Sequence, residues 1–488
     1  MKIAISLLLM SAYLPAMDVV AMPGQSPLIQ FRIVFRAGSA NDPKGKAGAA
    51  ALTASMLTGG GTKAMTYQQV LDAVYPMAAR LNDQVDKEMI VFSGATHVEN
   101  LEGFYGILRD ALLTPGWRED DLKRVRDDLK NAVRLSLREN NDEELGKEVL
   151  YSLLFKGHPY EHLSLGNLTA IDALSMADLQ AFYKAHLTQA NLTIGIAGNY
   201  PKDFVERMKK DFSALPKGKP STVKLPALAP LKTTQVTIVQ KKTRAVAYSF
   251  GFPIDVTRNH PDFPALLLAN TWFGPHRSSG GNLYQRMREI RGLNYGDYSY
   301  IEYFPNGMFQ FEPDPNLFRR SQIFQIWIRP VEPPTAHFAL RLSLFELERL
   351  LGKGITEADF EATRDFLALN VNLLMKTKSA ELGYAIDSKA YGIPDYVSYL
   401  HAALKKLKYE DVQKAIAKHL RKDKLQIVAI TDNAEDLKKQ LLSDAPSPMK
   451  YNASKPGDIL EEDKIVSTKK LGWKPEQITI VPLDQVFQ

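Results

Sequence analysis

RAGSANDPKGKAGAAALTASMLTGGGT (Arg36–Thr62) is the stretch that decides the fold. It follows an apolar run, Ile29 to Phe35, that reads as a strand. A turn rich in Gly, Asn, Asp and Pro comes next, then an Ala-rich helix from about Gly48 to Leu57. Gly59-Gly60-Gly61 ends that helix, because consecutive glycines supply left-handed conformations and cannot continue it cheaply. The helix carries no His, Glu, Asp or Lys on any face after Gly48. A strand–turn–helix with so regular a frame and so blank a helix needs the rest of the chain to interpret it.

At 488 residues the chain exceeds one ordinary core, so at least two domains are expected. Hydrophobic residues make up 45% and charged residues 24%, the balance of a globular protein. The 61 basic residues barely outnumber 55 acidic ones, and no basic run interleaves with aromatics, so nucleic acid is excluded as a partner. Cysteine is absent, which removes disulfides, thiolate catalysis and Cys-ligated metals. The first 21 residues carry one Lys and an apolar run of signal-peptide length, with Ala16 or Ala21 at a cleavage position. Export to the periplasm is the expectation; if the run is instead part of a first strand, the protein stays in the cytoplasm. No other segment is long and apolar enough for a stable membrane span.

Along the chain, Thr66 opens a second helix, 88–96 reads as a strand, and 97–113, 119–137 and 143–155 read as amphipathic helices. Gly157-His158-Pro159-Tyr160 is a loop, and Ser175-x-x-Asp178 caps a helix over 176–187. Residues 215–233 contain four prolines by Pro230 and form a linker. Beyond it the order of elements recurs. MADLQAFYKAHLTQANLTIGIAGN (176–199) aligns without a gap to YEDVQKAIAKHLRKDKLQIVAITD (409–432), with Asp178, His186 and Leu192 meeting Asp411, His419 and Leu425. The expected organisation is a signal segment 1–21, an α/β domain 22–214, the linker, a homologous α/β domain 234–446 and a tail 447–488 of little helical period that wraps the second domain.

RAGSANDPKGKAG, MLTGGGT, GHPY with Gly166, and RMREIRGLNYG (286–296), in this order and spacing, resemble the pitrilysin–insulinase family of inverted-motif zinc peptidases over about Ile29 to Ala445. The resemblance implies mixed α/β sheets in two homologous domains, forming half or all of a clamshell that encloses extended peptides. It also implies a helix bearing H-x-x-E-H, where two His one turn apart bind zinc and the Glu is general base. In this register the first His falls on Ala51, the Glu on Ala54 and the second His on Ser55; the third ligand, a later Glu, falls on Ala132. Ala offers zinc no lone pair, and nothing remains to deprotonate a water.

His158-Pro159-Tyr160-Glu161-His162 matches the motif letter for letter, but Gly157 and Pro159 deny His158 an established helix, so a loop is expected instead. In the second domain the resemblance maps a substrate-binding Arg and Tyr onto Arg288 and Tyr295, with Arg291 as the alternative arginine; Arg288 paired to Glu289 and Tyr295 in the core is the structural alternative. Such donors stabilise a developing oxyanion. His276 and Arg277 lie in a polar loop and are candidates for lining the chamber. Asn82, Asp83 and Glu88 precede or begin the strand that the family pairs with substrate by backbone hydrogen bonds. What the resemblance implies overall is a non-catalytic subunit that binds peptides and lends Arg288 and Tyr295 to a zinc-bearing homologue in a heterodimer, with zinc held only by that partner. A scaffold without a role in hydrolysis is the alternative, and a zinc peptidase built on His158, Glu161 and His162 the remote one.

Overall fold

A computed structural model describes residues 17–488. Its organising elements are two mixed sheets built to one plan. The first has strand order β1 (Asp18–Pro23), β5 (Leu192–Gly198), β2 (Leu28–Phe35), β4 (Ile90–His97), β3 (Arg80–Val85). The second runs β11 (Ile478–Pro482), β6 (Gln235–Gln240), β10 (Gln426–Thr431), β7 (Val246–Ile254), β9 (Gln322–Val331), β8 (Gly296–Tyr300). In each, the first strand pairs parallel with the strand that follows the repeated helix; β11 also pairs parallel with β6, and the remaining pairs are antiparallel. The aligned segments 176–199 and 409–432 thus become Met176–His186 with β5, and Tyr409–His419 with β10. Strands such as β5 and β10 are buried along their whole length, so their apolar runs do not alternate.

The two halves interlock. The helix Asp142–Leu154 of the first half packs across β7 and β10 of the second sheet, and the helix Lys378–Tyr391 of the second half packs across β1, β2 and β5 of the first. A glycine marks each crossing. A Cβ on Gly146 would sit 2.9 Å from Ser249 Oγ, and one on Gly195 would sit 2.8 Å from Ile386 Cδ1. Larger residues there would hold the halves apart. Buried ion pairs cross the same boundary: Arg319 Nε donates to Asp86 Oδ2 at 2.8 Å, and Arg329 pairs with Glu143.

Several elements differ from the sequence expectation. Residues 88–96 were expected to form the strand that meets substrate, but β4 lies inside the sheet between β2 and β3. The open edge belongs to β3, which contains Asn82 and Asp83, while Glu88 sits in the following turn. The helix expected over 119–137 is regular only to Asn131 and widens into a π-helix from Ala132 to Glu139. The tail, read as poor in helical period, carries the helix Gly457–Ser467 and then β11, which pairs parallel with β6. Its burial comes from sheet pairing, which periodicity does not register. Met1 to Ala16, most of the expected signal segment, lies outside the described residues. Asp18 to Ala21 belong to β1, so a cut after Ala16 leaves that strand whole and a cut after Ala21 removes most of it.

Candidate functional site

The blank helix of the sequence is Ala49–Gly59. Gly48 precedes it with φ of 101°, a left-handed conformation that glycine takes without strain. Asp42 caps its N-terminus from a distance: Oδ2 accepts from Gly48 N and Oδ1 from Ala50 N, both at 2.7 Å. Burial raises the Asp42 carboxyl to about 7, against the opposing pull of those two N–H groups and of Lys87.

Ala51 and Ala54 are 2% and 0% exposed and belong to the core of the first half. Ser55 Oγ donates to Asp83 Oδ2 at 3.1 Å, and Thr58 Oγ1 donates to Asp83 Oδ1 at 2.6 Å. Desolvation raises the Asp83 carboxyl above its ordinary value. Ala132 stands where the α-helix turns into the π-helix, on the wall of a cavity of about 570 Å³ between the halves, with Gln84, Glu148 and Tyr303 among its neighbours. The donor set does not fit zinc. Two of its three positions, Ala51 and Ala132, offer no donor, and the third, the Ser55 hydroxyl, is already bound to Asp83.

The second candidate motif is distributed over turns. His158 Nδ1 accepts from Tyr160 N at 3.0 Å, and the ring packs on Phe155 and Tyr160. Burial lowers its pKa to about 4. Glu161 accepts from Gly157 N at 2.7 Å, and His162 Nδ1 bonds Leu163 O at 3.0 Å. These three side chains face separate partners. Among the described residues only His260, Asp262 and His419 approach one another as a metal would require, and there Asp262 is paired with Lys418 and His419.

In the second half, Arg288 lies in a short π-helix (Gln285–Glu289) and Tyr295 immediately precedes β8. The guanidinium bonds the Tyr284 hydroxyl and lies 4.7 Å from the Tyr295 ring centroid, an Arg–aromatic contact. Arg288 forms no ion pair with Glu289 or any other described carboxylate within 4 Å, and Tyr295 is 70% exposed, so neither structural alternative holds. Both line a cleft of about 800 Å³, shared with Glu332 and Tyr451, rather than the cavity at Ala132. Arg291, only 3% exposed, is consumed differently: Nε donates to Asp463 Oδ1 at 2.8 Å and Nη2 to Glu462 Oε1 at 2.6 Å, on the tail helix. His276 spans the Tyr300 hydroxyl and Gln310 O, with its pKa lowered to about 4 by burial, and Arg277 bonds Met308 O.

Models of one peptidase family match both halves: insulinase, peptidase family M16, over residues 23–166, and the peptidase M16 inactive domain over residues 173–367. The chain belongs to peptidase family M16. An uncharacterized zinc protease of Mycobacterium bovis is 24% identical to this M16 chain over 367 residues, which cover 73% of it and 77% of that protein. A non-peptidase homolog of Helicobacter pylori is 20% identical over 419 residues, 84% of this chain and 90% of its own. The crystal structure of a peptidase M16 inactive domain from Pseudomonas fluorescens superposes with a TM-score of 0.72 at 23% identity, covering 84% of this chain and 94% of its own. The motif resemblance and the fold it implied are therefore those of the M16 family.

Sequence reasoning passed over the charged residues that shape this M16 chain between its halves. Asp86 and Lys87 drew no reading and Glu88 was read only as beginning a strand, yet all three are buried, and Asp86 and Glu88 bind Arg319 and Arg320 of the second half. Nothing local signalled partners more than two hundred residues away.

Proposed function

We propose that this chain is the non-catalytic subunit of an M16 peptidase, which binds peptides and contributes Arg288 and Tyr295 to the active site of a zinc-bearing homologue. The observation that carries the proposal is the contrast in commitment between the two sites. The polar groups at the degenerate helix are spent on each other, whereas Arg288 has no carboxylate within 4 Å and Tyr295 stands exposed beside it. An arginine in a cleft with no carboxylate in direct contact can meet a developing oxyanion. The locked ion pairs of Arg291 favour Arg288 as the functional arginine. The open edge of β3 offers backbone groups to an extended peptide, which needs no metal. The name non-peptidase homolog, borne by the Helicobacter pylori relative, is consistent with this role. The apolar N-terminal run motivates periplasmic export as part of the proposal.

The test is reconstitution with zinc-bearing M16 homologues that co-purify with this chain, followed by peptide-cleavage assays. Cleavage is expected only in the mixture, and Arg288→Ala or Tyr295→Phe in this chain is expected to lower kcat by about 10²-fold. Unchanged kcat in both variants would exclude the shared site and leave the scaffold role.

A further inference from the structure

Large apolar side chains stand in water on one face of the second half. Phe366, Leu369 and Leu373, with Phe309 and Phe311, are between 47% and 74% exposed. The first three fall on one stripe of the helix Glu357–Asn370 and of the 3₁₀ turn Val371–Met375 that continues it, because residues three and four apart share a helix face. The two phenylalanines come from the connection between β8 and β9, residues 301–321. Phe311 and Phe366 wall the same hollow of about 310 Å³, and Lys376 Nζ reaches Glu312 Oε1 at 3.1 Å, so stripe and connection adjoin.

The patch is continuous with the cleft of Arg288 and Tyr295. Tyr298 Oη donates to Tyr295 O at 3.3 Å, and the His276 ring packs on Tyr298 with centroids 4.8 Å apart. The next residue, Arg277, lies 4.8 Å from the Phe311 ring centroid and bonds Met308 O. Five such side chains present on the order of 600 Å² of apolar surface, the upper end of what a monomer leaves in water and close to the ~800 Å² that one side of a specific interface buries. Charges around the stripe are already paired: Lys376 with Glu312, Lys378 with Glu381, and Arg364 with Glu361. The patch therefore offers a partner apolar area rather than charge.

We propose that this face, from Phe309 and Phe311 to Leu373, is the seat of the zinc-bearing homologue, which rests on the shared-site reading above. A homologue whose active site receives Arg288 and Tyr295 must lie against the cleft, and the adjoining patch supplies the apolar area that holds it there. The homologue's facing surface is then apolar, with a side chain entering the hollow between Phe311 and Phe366. Docking and chemistry fall to different residues. The patch sets affinity for the homologue, and Arg288 with Tyr295 sets the rate.

The test uses the full chain and the zinc-bearing M16 homologues that co-purify with it, and reads Kd by sedimentation velocity beside kcat for peptide cleavage. Phe311→Ser with Leu369→Ser, at side chains already largely in water, is expected to raise Kd about 100-fold, with kcat recovered when the homologue is in excess. Arg288→Ala is expected to do the reverse, lowering kcat at an unchanged Kd. Amide exchange over 309–312 and 366–375 is expected to slow when the homologue is added. An unchanged Kd in the double variant, with Arg288→Ala still lowering kcat, would overturn the docking surface and leave the shared site standing. A raised Kd in the double variant, with kcat untouched by Arg288→Ala, keeps the surface and discards the shared site. A chain that is dimeric by itself and becomes monomeric in the double variant would overturn the proposal, because a second copy then takes this face.

Discussion

Ser55, Thr58 and Asp83 form one polar cluster of this protein, and Arg288, Tyr284 and Tyr295 form another; they differ in where their hydrogen-bonding capacity goes. The Asp83 carboxylate accepts from both hydroxyls, so the cluster closes on itself beneath a helix whose neighbouring positions are packed alanine. The Arg288 guanidinium has one phenol contact and two aromatic faces, with no carboxylate within 4 Å and an open cleft in front. One cluster is closed by groups that satisfy one another; the other leaves a cation facing a cleft.

The largest effect that would sharpen this contrast is expected at Arg291, the arginine three residues beyond Arg288. Arg291→Ala leaves Asp463 on the tail helix without its cation, while Glu462 keeps Arg286, and is expected to cost about 3–5 kcal/mol in urea unfolding. A loss below 1 kcal/mol would mean that Arg291 is no more committed than Arg288.

Next comes the cap of the degenerate helix. The Asp42 carboxyl sits at about 7 when folded and near 3.8 when unfolded, so the folded state binds the extra proton between those values. This contribution is fully present below about pH 4 and is lost as pH rises through about 7, at up to ~1.4 kcal/mol per pH unit. Asp42→Asn, which can still cap, is expected to flatten that part of the stability–pH profile. An unchanged slope would show that the carboxyl titrates in its ordinary range.

Thr58→Val tests whether the polar cluster is closed as described. It removes the 2.6 Å bond and leaves one Asp83 oxygen without its donor, for an expected loss of about 1–3 kcal/mol on thermal or urea unfolding. The smallest stability effect is expected at the open site: Arg288→Ala should change unfolding by less than about 0.5 kcal/mol, since it breaks no ion pair. A large loss there would erase the difference between the two regions.

Much of this was legible before any coordinates. The strand, the Ala-rich helix and its glycine stop follow from composition and periodicity, because local sterics and one-sided burial write themselves into short stretches. The offset repeat likewise announced two copies of one α/β plan, and motif spacing singled out Ala51, Ala54, Ser55 and Ala132. His158 was legible as a loop residue because Gly157 and Pro159 act on their own backbone. Tertiary structure alone decided what those residues touch. Which strand forms the open edge, which arginine is locked and which is free, and that Asp86 meets Arg319 depend on contacts between residues far apart in the chain. The crossing of Asp142–Leu154 and Lys378–Tyr391 onto each other's sheets is of the same kind. Packing between distant segments carries no period and leaves no local trace, so it is settled only when the whole chain has closed.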